Sequence, residues 1–203
     1  MKQIVFAKCD TTNVEGNKEI AFGLNDGLPW GHIKQDMLNF ASRTKDTAVV
    51  MGAKTFSTLS TPLKNRLNIV VIKGDREYPT TKEGYLADYY IQNEDFEILI
   101  SEGDCLGVSP MLNTYTPSLM RLRDSKWKDI SIIGGKGLLE RSLGFVDKIV
   151  ISSINKRHYV PSDVRLNPMM IDYIKGLNLI ESHYWRINEL TELTESVYET
   201  PRI

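Results

Sequence analysis

Cysteine and histidine are scarce in this 203-residue sequence, which contains two cysteines and three histidines. Two cysteines cannot supply a disulfide framework or a zinc-binding set of CxxC pairs, and the histidines lack the HExxH spacing of a zinc-binding helix. We therefore expect no metal site, and a reducing compartment such as the cytoplasm.

Long apolar runs are missing as well. Runs such as residues 69–72 are far shorter than the roughly 20 residues that a membrane span needs, and the stretch 4–7 is too short for the core of a signal peptide. Neither sign of charge dominates, because 25 Lys and Arg residues oppose 26 Asp and Glu residues for a net charge of −1. We expect a cytoplasmic protein with neither a membrane nor a nucleic acid as its partner.

The composition that is present is ordinary for a folded domain. Hydrophobic residues make up 41% of the chain and charged residues 25%, which argues against disorder. A chain of this length can bury about 70% of the surface that its unfolded form exposes. We predict a single domain over residues 1–203 that needs no covalent or metal cross-link.

Short β-rich runs alternate with helical patterns along the chain. Several runs are continuous and apolar, as interior strands of parallel sheets are, and the last two follow each other without a helix between them. The pattern predicts an α/β fold with a mixed, mostly parallel twisted sheet, flanking helices and an antiparallel C-terminal edge. The predicted strands are 4–7, 48–51, 68–72, 130–133, 148–154, 179–187 and 193–198. The predicted helices are 32–42, 54–59, 95–101, 117–123, 137–143 and 168–175.

Residues 73–129 fit this alternation least. They are polar and rich in Asp, Glu and Tyr. We interpret them as an insertion or subdomain built around one or two small helices. Such a segment could present a surface to a protein partner.

The stretch 21–30 combines turn-forming residues with large apolar ones. Residues 25–27 and Pro29 predict a loop, yet Leu28 and Trp30 give it an apolar lining. Such a loop either covers a ligand or fills the core with its own side chains.

A carboxylate falls on the apolar face of the helix that follows. Ile33, Met37 and Phe40 are spaced i, i+4 and i+7 and form an apolar stripe, and Asp36 lies within its arc. A carboxylate in such surroundings is costly unless it is hydrogen-bonded or neutralised. Two interpretations stay open, a structural Asp paired with a backbone amide or an Arg, and an Asp that meets a cationic or amidine-like edge of a ligand.

Four features at fixed spacings resemble the signature of the dihydrofolate reductase family. They are Gly23, Leu28-Pro29-Trp30, Asp36 and Phe40. Three further stretches are similar to the family's cofactor turn, substrate-tail segment and glycine pair, namely Met51-Gly52-Ala53-Lys54-Thr55-Phe56, Pro62-Leu63-x2-Arg66-x-Asn68-Ile69 and Ile133-Gly134-Gly135. The end of the chain, Leu193-Thr194-Glu195-Ser196-Val197-Tyr198, and the 52–54 turn are especially similar to the T-even bacteriophage branch of this family.

The resemblance implies an activity and a cofactor. The expected reaction is the NADPH-dependent reduction of 7,8-dihydrofolate to 5,6,7,8-tetrahydrofolate, with hydride transfer to C6 and protonation of N5. Such an enzyme supports one-carbon metabolism and thymidylate synthesis and is an antifolate target. A monomer or homodimer is expected, in the host cytoplasm if a phage encodes it.

The resemblance also implies which residues meet the substrate. Asp36 would accept two hydrogen bonds from the 2-amino-4-oxo edge of the pterin; it faces the wrong edge to reach N5, so water would be the final proton donor. Ser152, where many relatives have Thr, would lie beside Asp36, although a strand hydroxyl without a role is the alternative. The implied catalytic residues are Asp36, Ser152, Leu28 and Trp30. The implied substrate-binding residues are Val5, Phe6, Asp36, Met37, Phe40, Leu59, Leu63, Arg66, Ile133 and Ser152.

Arg66 and the apolar residues of that set also have purely structural interpretations. Arg66 would clamp the α-carboxylate of the substrate's glutamate with its planar fork, or it forms a surface ion pair. The apolar side chains would wall the pterin and the aminobenzoyl ring, or they are plain core.

A third implied set would hold NADPH. Two helix starts, after Gly52 and after Gly135, would meet the pyrophosphate, and the family's Gly134–Gly135 bond is cis. Lys54 and Lys73 would meet the 2′-phosphate. Ala53 replaces a cation of many relatives, and Leu139 replaces a Tyr near the nicotinamide. The implied cofactor-binding residues are Ala7, Phe22, Gly23, Leu28, Gly52, Ala53, Lys54, Thr55, Ile72, Lys73, Ile133, Gly134, Gly135, Lys136, Gly137, Leu138 and Leu139.

Two other functions stay open at this point. One is a reductase of the same fold that acts on another pteridine or on a ribosylaminopyrimidine, against which Arg66 counts. The other is a folate-binding structural component that has lost turnover and meets a partner through residues 73–129.

Overall fold

A computed structural model describes residues 1–74, 77–110, 118–120 and 126–201 of the chain. Its residues group into two units. The first unit contains Met1–Ile4 and Thr44–Val146, and the second unit contains Val5–Arg43 and Asp147–Ile203.

The described residues form twelve strands and five helices. The strands are β1 (Lys2–Thr12), β2 (Lys18–Gly23), β3 (Ala48–Gly52), β4 (Leu67–Ile72), β5 (Tyr89–Gln92), β6 (Cys105–Gly107), β7 (Ser118–Met120), β8 (Ile130–Gly134), β9 (Lys148–Lys156), β10 (Val164–Arg165), β11 (Asn178–Asn188) and β12 (Thr191–Glu199). The helices are α1 (Lys34–Arg43), α2 (Ala53–Thr58), α3 (Asn93–Glu102), α4 (Lys136–Ser142) and α5 (Pro168–Lys175).

The first unit is built on parallel strands. The start of β1 pairs with β8, and the order continues through β3 and β4 to β5, with every one of these pairs parallel. Strands β3 and β4 are buried along nearly their whole length, which agrees with their continuous apolar sequences. Helices α2 and α4 each begin directly after a strand of this set, so their first turns lie at its carboxyl edge.

The second unit is mainly antiparallel. Strand β12 pairs in antiparallel fashion with β9 on one side and β11 on the other, and residues 9–12 of β1 pair with β2. Along β12 buried and half-buried residues alternate, as expected of a strand with one face on the core. Helix α5 begins at an Asn167 cap whose side chain accepts a hydrogen bond from the Met169 amide, with a proline in the first turn.

Most of the predicted architecture is confirmed. The α/β class, the parallel strands and the antiparallel C-terminal edge are all present, and each of the seven predicted strands overlaps an observed one. The short strands β2, β5, β6 and β10 were not predicted, because their few residues carry no clear period. Residues 73–129 supply β5 and α3 to the first unit, and the boundaries of the predicted insertion stay a prediction.

The predicted helix over 117–123 is wrong where the structure describes it. Ser118–Met120 form strand β7, which pairs with β6; the remaining residues of that prediction lie outside the described ones. A short apolar run carries the same composition signal for a helix and for a strand, and pairing with another strand decides the outcome. In the described part of the chain, no helix combines the length and the apolar character that crossing a membrane requires.

Candidate active site

Asp36 is the buried residue of helix α1. It is 3% exposed and lies in the first turn, whereas Met37 and Phe40 are half-buried. The structure therefore places the carboxylate deeper than two apolar residues of the stripe that predicted it. A carboxylate that has lost its hydration needs a hydrogen-bond partner.

Ser152 on β9 supplies that partner. Its hydroxyl hydrogen-bonds to the carboxylate of Asp36. Burial raises the pKa of Asp36 above its ordinary value, the Ser152 hydrogen bond opposes the rise, and the negative charge of Glu195 adds to it. The protonated form of Asp36 is therefore more favoured than in an exposed Asp. Ser152 lies where the resemblance implied, and its part in the reaction stays a prediction.

The chain enters this region through a tight turn. Leu24 and Gly27 exchange two backbone hydrogen bonds of 3.0 and 2.8 Å, and Asn25 and Asp26 have positive φ angles of 47° and 60°. These angles suit a two-residue hairpin turn with the twist of the flanking strands. Gly23 still belongs to β2, so the predicted loop starts later than expected.

The two large apolar residues of the loop behave differently. Trp30 is 5% exposed and packs in the core of the second unit against Ile33, whereas Leu28 is 42% exposed. The Trp30 Nε1 is buried and has no hydrogen-bond partner among the described residues. Trp30 thus fills the core, as one of the two interpretations predicted, and a role for Leu28 in covering a ligand stays a prediction.

Strand β1 brings further predicted residues to the second unit. Val5 and Phe6 are buried, and Ala7 is half-buried. The ring of Phe6 meets that of Phe22 edge to face, with centroids 6.3 Å apart and planes at 69°. Gly23 lies close to Val164, since a Cβ added at Gly23 would come within 3.3 Å of the Val164 Cβ.

Two helix starts lie side by side in the first unit. Gly52 precedes α2 and Gly135 precedes α4, and no side chain caps either helix. A Cβ built on Gly52 would lie only 3.7 Å from the backbone nitrogen of Gly135. The Gly134–Gly135 peptide bond is cis, as the resemblance implied. Adjacent helix starts direct amide N–H groups to one place, which suits a phosphate or pyrophosphate.

The two lysines predicted to meet a 2′-phosphate lie at the same edge of this unit. Lys54 is in the first turn of α2 and Lys73 directly follows β4. Because Gly52 on β3 is opposite Val71 on the parallel strand β4, the two strands end together. Both lysines are exposed, with Ala53 half-buried beside Lys54.

The residues of helix α4 that were predicted to bind the cofactor differ in their exposure. Lys136 forms an ion pair of 3.9 Å with Glu140, and Gly137 is exposed. Leu138 is 8% exposed and Leu139 is fully buried. The side chain of Leu139 therefore belongs to the core, and its implied contact with a nicotinamide stays a prediction.

Apolar residues and an arginine complete the predicted set of the first unit. Leu59, Leu63 and Ile133 are half-buried and pack against the buried cluster that includes Ile72. Arg66 donates from Nε to the Thr44 carbonyl and from Nη1 to the Lys64 carbonyl, both at 3.2 Å. Burial lowers the pKa of its guanidinium, and the negative charge of Asp46 opposes this. The backbone carbonyls orient the plane of the fork.

Two charged residues in the second unit were not predicted from the sequence. Glu195 is 4% exposed on β12, and Arg43 at the end of α1 binds it. The signal was present, since alternation from Leu193 to Val197 puts Glu195 on the same face as both. Among the described residues, no group of three or more His, Cys, Asp and Glu side chains is placed to hold a metal ion.

The architecture is the dihydrofolate reductase-like α/β fold. A solved dihydrofolate reductase from Enterococcus faecalis, complexed with NADP(H) and RAB-propyl, superimposes with a TM-score of 0.64 at 20% identity, over 98% of this chain and 95% of the other. The sequence model of the dihydrofolate reductase family matches residues 14–94. The match includes the beginning of the 73–129 stretch.

The chain is also similar to bacterial dihydrofolate reductases. The dihydrofolate reductase of Mycoplasma genitalium is 26% identical over 141 residues, which cover 70% of this chain and 73% of that protein. The dihydrofolate reductase of Ureaplasma parvum is 28% identical over 150 residues, covering 73% and 74%. The type 9 dihydrofolate reductase of Escherichia coli is 28% identical over 138 residues, covering 68% and 66%.

Proposed function

We propose that the protein reduces 7,8-dihydrofolate to 5,6,7,8-tetrahydrofolate with NADPH as the hydride donor. The observation that carries this proposal is the carboxylate of Asp36. This residue is only 3% exposed, and its carboxylate accepts a hydrogen bond from the Ser152 hydroxyl. Burying a carboxylate away from water reduces the stability of a protein, so a buried carboxylate without a function would be a net loss. The amino and imino groups on the 2-amino-4-oxo edge of a pterin are donors that such a carboxylate recognises.

Protonation of N5 depends on the same group. Bound NADPH would supply the hydride for C6, and N5 must gain a proton. Burial raises the pKa of Asp36, so the site keeps a proton at higher pH than an exposed Asp would. Ser152 fixes the direction of the carboxylate and offers its hydroxyl to a water that delivers the proton.

The tail of the substrate is assigned to Arg66. Its fork is held by the carbonyls of Thr44 and Lys64, which leaves a charge in a fixed plane. A planar carboxylate is the partner that such a fork binds with two parallel hydrogen bonds. This contact favours folate over a pteridine without a glutamate.

The residues of the first unit fit NADPH. The starts of α2 and α4, which lack side-chain caps, would bind the pyrophosphate through backbone amides. Gly52 and Gly135 leave room for that approach, and Lys54 and Lys73 would bind the 2′-phosphate. In the second unit, Leu28 and the other implied nicotinamide-binding residues would meet the nicotinamide; they are Ala7, Phe22 and Gly23.

A direct assay tests the proposal. Wild-type protein is mixed with NADPH, and the loss of NADPH absorbance is followed before and after dihydrofolate is added. We expect no loss without dihydrofolate and steady turnover with it. Binding of both ligands without turnover would instead favour a structural folate-binding component, and turnover only with a pteridine that lacks glutamate would favour the alternative reductase.

We further infer a relation to the T-even bacteriophage branch, on the residues 193–198 and the turn 52–54. In that case the protein acts in the cytoplasm of an infected host. A monomer or homodimer, and any protein partner bound through 73–129, stay predictions that light scattering at several protein concentrations would test.

A further inference from the structure

Strand β12 carries a carboxylate in a row of core positions. Its buried residues are Thr191, Leu193, Glu195 and Val197. Glu195 is 4% exposed, so the alternation places an ionisable group where its neighbours on the same face are apolar. Buried carboxylates are retained only with strong partners.

The partner of Glu195 is Arg43, which it shares with a second carboxylate. Arg43 Nη2 lies 2.6 Å from Glu195 Oε1, with Nε of the same fork at 3.0 Å. The fork also binds Glu181 on β11, at 2.6 Å through Nη2, and His183 Nε2 lies 2.7 Å from Glu181 Oε1. One guanidinium therefore serves two carboxylates, and their three charges sum to −1.

This cluster adjoins the proposed catalytic carboxylate. Glu195 lies directly opposite Ser152 in the pairing of β12 with β9, and Ser152 hydrogen-bonds to Asp36. Arg43 is in the last turn of α1, the helix whose first turn carries Asp36. The negative charge of Glu195 contributes to the raised pKa of Asp36.

We propose that Glu195, held by Arg43, is a positioning residue whose charge sets the pH range over which Asp36 exchanges its proton, and thereby the pH range of the reaction. The first half rests on the geometry of the second unit alone. The second half rests on the proposed function. The titratable and charged groups of the cluster are Glu195 on β12, Arg43 on α1, and Glu181 and His183 on β11.

The test of the first half is the titration of Asp36 in the ligand-free protein. Carbon-13 NMR of carboxyl-labelled aspartate follows its midpoint, with the signal assigned by its absence in Asp36→Asn. Glu195→Gln and Glu195→Leu should both lower the midpoint, by on the order of half a unit to one unit, because both remove a nearby negative charge. Glu195→Asp keeps the charge and should restore most of the midpoint.

A matched control separates charge from structure. Glu192→Gln makes the same charge change on β12, but on the face that points away from the buried row, and should leave the midpoint unchanged. Arg43 keeps Glu181 in every Glu195 variant, so no cation loses all its partners. If Glu195→Gln fails to fold, Glu195→Leu carries the test, since Leu matches the other residues of the row.

Two results would overturn the first half of the proposal. One is an unchanged titration midpoint of Asp36 in Glu195→Leu, and the other is a shift in Glu195→Asp as large as that in Glu195→Gln. For the second half, kcat/KM for dihydrofolate is measured against pH. The inflection should move to lower pH by the same interval in Glu195→Gln, with little change at the acidic plateau. An unmoved inflection would overturn it, and absent wild-type turnover would instead remove the proposed function while the NMR result stands.

Discussion

The hydroxyl of Ser152 and the carboxylate of Asp36 form a hydrogen bond between two side chains that are 7% and 3% exposed. Because so little water reaches this bond, any change to either group acts on a local electrostatic balance that solvent does not buffer. The first two predictions follow from that balance.

Asp36→Asn should lower kcat/KM for dihydrofolate at least ~100-fold at neutral pH, the lower end of what a general acid contributes. The amide keeps the shape of the carboxyl group but cannot accept two hydrogen bonds from the pterin edge. Steady-state kinetics with NADPH in excess measure the loss. Activity should recover in part at low pH, where the substrate is protonated before it binds. Turnover like that of the wild type would contradict the assignment of Asp36.

The same substitution should stabilise the protein at neutral pH. The folded-state pKa of Asp36 is raised, so the neutral form is the one that folding favours. Its contribution is fully present below the unfolded pKa of about 3.9 and is lost as the pH rises through the folded pKa. Asn is always neutral, so the Tm of Asp36→Asn should exceed that of the wild type by on the order of 2 °C at pH 7.

Thermal melts across the pH range check this second prediction. The difference in Tm should disappear as the pH falls toward 3. Asp172→Asn, at an exposed position of α5, is the matched control and should change Tm little at any pH. A variant that is less stable at pH 7 than at pH 3, relative to the wild type, would refute the sign.

Arg66→Leu should weaken binding of dihydrofolate about 10- to 100-fold, the loss expected when a charge-assisted bidentate contact of about 1.5–3 kcal/mol is removed. Binding of a pterin without the glutamate tail should change much less. Calorimetry of both ligands with both proteins measures the contrast. Equal losses would mean that Arg66, through the Thr44 and Lys64 carbonyls, is only structural.

Lys54→Met and Lys73→Met should each lower kcat/KM for NADPH and leave that for NADH nearly unchanged. Both lysines are exposed at the ends of adjacent strands, so each contact with a 2′-phosphate should contribute about 1–2 kcal/mol and weaken with added salt. Kinetics with the two cofactors at several ionic strengths test this. A double variant that still prefers NADPH strongly would place the 2′-phosphate elsewhere, and Ala53→Lys should improve NADPH affinity.

The second unit shows which residues of the site the sequence pattern alone can predict. The stripe of Ile33, Met37 and Phe40 located Asp36 correctly, because a helical period of 3.6 is visible within a single segment. The partner Ser152 came only from the family resemblance, since it lies on a strand more than a hundred residues away. Pairings of that range carry no local pattern.

The Arg43–Glu195 pair shows a second reason why sequence patterns miss residues of the site. The period-2 alternation of Leu193 and Val197 around Glu195 did mark a buried position, but a lone Glu on a strand is more often assigned to solvent. Its guanidinium partner is on another element, so nothing near Glu195 in the sequence announced it. The helix predicted at the residues of β7 was wrong for a related reason, because their pairing with β6, outside the segment itself, decides their structure.

The glycines at the two helix starts of the first unit separate what folding requires from what ligand binding requires. Gly52 and Gly135 both have φ near −74°, and an added Cβ would meet its nearest neighbour at 3.7 and 3.6 Å, which is ordinary contact. Gly134, with φ at 137°, occupies a conformation that other residues avoid. In a mutant library sorted only for folded protein, alanine should therefore persist at 52 and 135 and vanish at 134. A library sorted for reductase activity should lose it at all three, which makes the difference between the two sequence profiles a map of the backbone that a ligand must approach.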